Sequence, residues 1–160
     1  MDGGGSFNRR ISWLYPDGGC EARAQIICHR AQISLLATPY KAYVAGLLRF
    51  TTNNAAPGWS SVTWGFHIAP IVKSSGTGNI WVIDPSISTA GPLTMTSWLS
   101  RINGGINGVV VNPPSFYGPG SGNNDDCWDE MEGEYLRLEW DRQVALGRDP
   151  RQVLGDNPPW

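Results

Sequence analysis

The chain has 160 residues, 41% hydrophobic and 16% charged, with a formal net charge of -2. That is enough apolar material for one domain with a sizeable core. No Lys/Arg-rich run and no long apolar run occurs, which excludes the footprint of a nucleic-acid binder, of an anionic-membrane binder and of a membrane span.

Residues 1–9 are polar and Gly-rich and are expected to be a flexible segment. The catalytic domain is expected to run over 10–147, and 148–160 to be a Pro-rich, irregular tail. Residues 10–15 predict a short strand or extended segment, and "PDGG" (16–19) a turn. From Cys20 to about Ala37, Ala24, Ile27, Ala31, Ile33 and Leu35 recur at helical spacing, and Pro39 prevents continuation. Residues 40–50 predict a strand with Tyr43, Val44 and Leu47 in the core. Residues 62–72 and 80–86 predict strands, with 62–72 and 80–84 paired as an antiparallel hairpin around "SSGTGN". A short helix is expected over 94–102, then a loop over 103–124 with one brief strand at 108–111. The second long helix is expected over 125–146, capped by Asn123 or Asn124, with Asp125, Asp126, Asp129 and Glu130 at its positive end. Its docking face is read as Trp128, Met131, Tyr135 and Leu138, and its stop as Gly147.

Three cysteines cannot all pair within one chain, and neither they nor the two histidines show zinc spacing. No metal site is expected. The odd count fits a reducing compartment or one free reactive thiol. Cys28 and Cys127 read as structural thiols. Cys20 stands where the turn becomes a helix. A helix N-terminus favours thiolate over thiol, and its free N–H groups can hold an oxyanion. The glycines before Cys20 suggest open space for a substrate. A nucleophile there needs a base. His29 lies about 13 Å along the same helix and is out of reach. His67 sits mid-strand, and the hairpin brings Asp84 near it as the group that orients the imidazole. The order Cys20, His67, Asp84, helix then strands, is the papain-like arrangement. Trp59 and Trp64 are candidate walls of the substrate channel.

"YPDGGCEARA", "TWGFHIAPIV" and "VIDPSISTAGPLTMTSW" together resemble the bacterial protein-glutaminase family over about residues 15–98. The resemblance implies an α+β, papain-like core, with the nucleophile at a helix N-terminus packed on a small antiparallel sheet. It implies deamidation of glutamine side chains of proteins through a Cys20 thioester, with His67 as base and Asp84 as orienter, and without cofactor. The partner is then a protein bearing an accessible glutamine.

The start "MDGGGSFNRR" has no apolar core of a signal peptide. Secreted members of the family carry such a peptide, so the resemblance implies instead an effector or toxin domain, delivered by a specialised system and active in the target-cell cytoplasm. An immunity protein is expected as a partner if the target is bacterial. The same three residues also suit a papain-like cysteine peptidase or a transglutaminase-like acyltransferase. A non-enzymatic binding module is the remaining alternative.

Overall fold

The computed structural model describes residues 11–35, 38–116 and 128–154. The elements in chain order are α1 (Cys20–Leu35), β1 (Tyr40–Thr51), β2 (Ser61–Lys73), β3 (Ile80–Val82), β4 (Leu93–Thr94), α2 (Met95–Arg101), β5 (Asn103–Asn112), α3 (Trp128–Ala145) and α4 (Arg151–Leu154). The strands form one sheet in the order β4-β3-β2-β1-β5, and each neighbouring pair is antiparallel. This is the expected α+β class.

β1 and β2 carry the alternation that divides the core. Ala42, Val44, Ala69 and Ile71 join Val82, Trp98 and Ile102 in the main cluster. Ile68 and half-buried Tyr43, of the other parity, pack with Cys20 and Ala24 of α1. The first turns of α1 are buried nearly all round: Ala22, Ala24, Ile26, Ile27 and Cys28 are all inside. Ile33 is half exposed, so the buried face of α1 fades toward its C-terminal end.

Leu47 is not a core residue: it is 84% exposed, and Leu48 takes the interior position. Strict alternation puts Leu48 and Phe50 on the core face with Ala42 and Val44, and Leu47 on the opposite one with Tyr43. The register of β1 shifts between Ala45 and Leu48 against β2 and between Ala45 and Gly46 against β5. The added residue changes the parity of β2, from Ala69 and Ile71 to Val62 on the core face, while β1 keeps its own. Gly46 makes the shift against β5 feasible, with φ of +149° and an ideal Cβ position 1.9 Å from the Gly105 carbonyl oxygen. Any side chain there would collide with backbone.

Other expectations also shift. Residues 11–15 form no strand; the N–H groups of Trp13 and Leu14 instead donate to Glu139 Oε1 of α3, at 3.3 and 2.8 Å. β3 stops at Val82 rather than reaching Ser86. Pro85 has no N–H to offer a ladder, and the Asp84 carbonyl turns to accept from Ile87 and Ser88. The stretch read mostly as loop after 102 is a ten-residue strand, β5, because β1 offers it a full edge to pair with. The tail is not wholly irregular: α4 forms at 151–154, with Leu154 buried and Arg148 donating to Asn54 and Gln143. On α3 the buried stripe is Leu136, Glu139 and Gln143, while Tyr135 and Leu138 are half-buried. Trp128, Met131, Cys127, the acidic first turn, the Asn cap and residues 1–9 lie outside the described side chains. Gly147 follows the helix as expected, donating its N–H to the Val144 carbonyl. Among the described residues no helix is long and apolar enough to cross a membrane.

Candidate active site

The sheet register explains why His67 and Asp84 meet. Ile71 stands opposite Val82, and the Ile83 N–H still donates to the Pro70 carbonyl at 2.9 Å. Antiparallel counting then puts position 84 across from 69, one same-face step from His67. The side chains close that diagonal: His67 Nε2 lies 2.8 Å from Asp84 Oδ2, with His67 only 1% exposed and Asp84 5%.

Asp84 is saturated with donors. Trp98 Nε1 donates to Oδ2 at 2.8 Å, and the N–H and hydroxyl of Ser86 both donate to Oδ1. Burial opposes its charge, yet His67, Arg23 and Ser86 outweigh burial and hold the carboxyl below the usual carboxylate range. Burial likewise works to lower His67. The Asp84 charge and hydrogen bond, with a smaller share from Cys20, overcome it and push the imidazole up to about 9. The ring is also gripped by two indoles. Trp64 stacks on it at 4.3 Å and 9°, and Trp98 lies tilted at 6.0 Å.

Cys20 is the first residue of α1, and the Gly19 carbonyl accepts the first helical bond, from Arg23 N–H at 2.9 Å. The sulfur has two polar neighbours. One is the His67 imidazole, whose Nδ1 is left free by the bond from Nε2 to Asp84. The other is Glu21 Oε2 at 3.5 Å. Buried Arg23 donates from Nη1 to the carbonyls of Ser12 and Gly18, tying the turn before Cys20 to the helix. Cys20, His67 and Asp84 are thus brought together. His29, half-buried on α1, is not a member. Cys28 is a buried free thiol pushed up to about 11 by desolvation, which suits a packing role.

A cleft of about 270 Å³ opens over this array, walled by residues 16–21, by Thr63 to His67 and by Tyr135. Trp64 is one of its walls and is fixed there by Nε1 donating to the Pro16 carbonyl at 2.8 Å. Trp59 is not brought to the cleft; it stands 74% exposed in the loop before β2. A larger cavity of about 480 Å³, lined by Ile11, Ile27, Ala31, Ile83 and Pro85, lies on the far side of Asp84. It touches neither Cys20 nor His67, whereas the smaller cleft is lined by both. Among the described residues no group of three His, Cys, Asp or Glu side chains could hold a metal ion.

Two features were not legible from motifs. One is Tyr135, which reaches the cleft from α3. The other concerns the glycines before Cys20. They line the cleft, but the Tyr135 ring stands against both and narrows the space they leave. An ideal Cβ on Gly19 would sit 2.8 Å from Tyr135 Cγ, and one on Gly18 would sit 3.3 Å from Cε1.

Residues 4–102 match a family model described as glutaminase. Two solved protein-glutaminases share the fold. One, from Chryseobacterium proteolyticum and determined by NMR, is 24% identical with a TM-score of 0.61, covering 80% of this chain and 72% of that one. A crystal structure of protein-glutaminase gives 23% identity and a TM-score of 0.62, covering 81% and 73%. A crystal structure of pro-protein-glutaminase aligns with a TM-score of 0.64 at 22% identity, covering 81% of this chain and 48% of the pro-form. No curated protein matches the sequence.

Proposed function

The chain belongs to the glutaminase family, and from that premise we propose that it deamidates glutamine side chains of proteins to glutamate through a thioester on Cys20. The observation that carries the reading is the buried array in which Asp84 holds His67 at 2.8 Å while the Cys20 thiol approaches the same ring.

The steps follow from the geometry. The Cys20 sulfur, its proton already carried on His67 Nδ1 as an imidazolium, attacks the Cδ carbonyl. The N–H groups at the start of α1 face the oxygen that becomes negative. The imidazolium returns its proton to the nitrogen as the C–N bond breaks, and ammonia leaves. Water then attacks the thioester, giving one proton to His67, and the sulfur departs with the ion pair restored. Asp84 stays ionised throughout. It fixes Nε2–H as the tautomer and stabilises the imidazolium. Trp64 keeps the ring in plane.

The test is ammonia release from a glutamine-rich protein, with intact and peptide mass spectrometry, for wild type and Cys20→Ala. A glutamine-to-glutamate mass change in an uncleaved chain, absent in the variant, is the expected result. Cut peptide bonds would reassign the array to a peptidase, and incorporation of a labelled primary amine would reassign it to a transglutaminase-like acyltransferase. Ammonia from Cys20→Ala at the wild-type rate would sink the mechanism.

The proposal extends to an effector or toxin domain acting in the cytoplasm of a target cell. Its support is that Cys20 and Cys28 are free thiols, a state that a reducing cytoplasm maintains. Cytoplasmic expression of wild type, compared with Cys20→Ala, should be toxic in the target cell type. In a bacterial target, co-expressed neighbouring genes should include an immunity protein that relieves toxicity. Equal growth with both forms would remove the toxin reading.

A further inference from the structure

We propose that Tyr135 is the specificity-determining residue of the cleft: its ring limits passage to Cys20 to a slender, unbranched side chain and excludes a main-chain segment. The substrate class this implies, a glutamine amide tip entering end-on, rests on the deamidase reading above. Tyr135 lies on α3, outside the stretch that matches the family model.

Three independent observations converge on this residue. The ring occupies the volume that Gly18 and Gly19 leave empty, at distances that exclude a Cβ on Gly19 and crowd one on Gly18. The sequence therefore reserves this space for an aromatic ring rather than for substrate. Tyr135 also walls the same small cleft as Cys20 and His67 while remaining half-buried, so part of the ring faces the space a ligand must cross. Finally, the ring is held in place. Tyr15 lies against it at 6.4 Å, the Arg142 guanidinium covers Tyr15 at 4.8 Å, and Arg142 pairs with Asp17 at 2.7 Å. A wall backed in this way keeps its position when a ligand pushes on it. The hydroxyl is not needed for a steric wall, so the ring itself is the active element.

The experiment compares Tyr135→Ala, Tyr135→Phe and Tyr135→Trp with wild type by the rate at which Cys20 is alkylated. The probes are iodoacetamide, which is slim, and an N-aryl maleimide, which is bulky. In Tyr135→Ala the bulky reagent should gain about tenfold, the scale of a 1.4 kcal/mol barrier, with iodoacetamide within about twofold. Tyr135→Phe should behave as wild type with both, and Tyr135→Trp should slow the bulky reagent alone. In the deamidation assay, Tyr135→Ala should raise KM for a glutamine peptide by about tenfold, with kcat within about threefold.

Equal acceleration of both reagents in Tyr135→Ala would mean that the turn has moved and would overturn the gate. No change with either would place the ring outside the path and overturn it too. If Tyr135→Ala fails to fold, the Trp and Phe variants decide the question alone. The alkylation ratio needs no deamidation. Failure of the deamidase reading with an intact ratio is therefore distinct from failure of the gate.

Discussion

The two sides of the His67 ring are built differently. On the Asp84 side everything is buried, and every carboxylate oxygen has fixed donors from Trp98, Ser86 and His67 itself. On the Cys20 side the thiol meets a cleft, a half-buried carboxylate at 3.5 Å and a tyrosine from a distant helix. The first side resembles a core and tolerates no change without an unsatisfied group. The second resembles a surface held by clamps. The orientation of the base thus depends on burial, while access to the nucleophile depends on α3.

That contrast is sharpest at Asp84. Asp84→Asn should lower deamidation by roughly 10³–10⁴-fold, because an amide at Oδ2 meets His67 with the wrong tautomer and cannot stabilise imidazolium. Initial rates with a glutamine peptide measure this. A loss below tenfold would show that Asp84 is not the orienter.

The pH profile probes both sides together. Because His67 stands at about 9 in the fold against 6.5 for the free side chain, the folded state binds its proton more tightly. Its contribution to stability is fully present below about pH 6.5 and is lost as pH rises toward 9, each unit of separation being worth about 1.4 kcal/mol. Denaturant titrations from pH 6 to 10 should show that decline, and His67→Asn should flatten it. Deamidation should also fall above about pH 9, as the imidazolium that protonates the departing nitrogen disappears. Asp84 has the opposite sign. Its depressed carboxyl supports the fold above the ordinary carboxylate range, and that support is lost as pH falls through it.

Trp98→Phe keeps most of the buried ring but removes the donor to Asp84 Oδ2. About 1–3 kcal/mol of stability and about tenfold of activity should be lost, read by thermal unfolding and by kcat. An unchanged kcat would make Trp98 a packing residue only.

On the open side the effects are smaller. Arg142→Gln breaks the bridge to Asp17, itself 39% exposed, so the cost of losing that bridge should stay near 1 kcal/mol. Deamidation should slow by no more than about threefold. Glu21→Gln removes a negative charge beside the sulfur. Iodoacetamide should then react about two- to threefold faster at neutral pH, the size of a weakly screened single charge. Slower alkylation would mean that the carboxylate helps the thiol rather than opposing its ionisation.

The amino-acid order alone determined the parts that local chemistry dictates. Cys20 stands at the helix start because a Pro-Asp-Gly-Gly turn precedes an apolar-periodic stretch. His67 and Asp84 meet because the turn at 74–79 sets the register of two β-rich segments. Nothing outside about 70 consecutive residues was needed. Tertiary structure decided the rest, and the reason is that long-range partners leave no periodic trace. Leu47 and Leu48 look alike in sequence, and only the packing of the face shared by Ala42, Val44 and Phe50 chose which is buried. Only the valine run of the Gly-rich β5 has strand propensity of its own, and the rest pairs because β1 has an open edge. Glu139 reads as a solvent-facing charge, yet it is buried where the extended segment at 11–15 needs an acceptor. Trp59 and Trp64 were equal candidates for the cleft, but only Trp64 lies on β2, the strand that carries His67, with its ring stacked on the imidazole. Tyr135 reaches the cleft from 115 residues beyond Cys20, through the docking of α3 against a turn whose glycines signal a vacancy without saying what fills it.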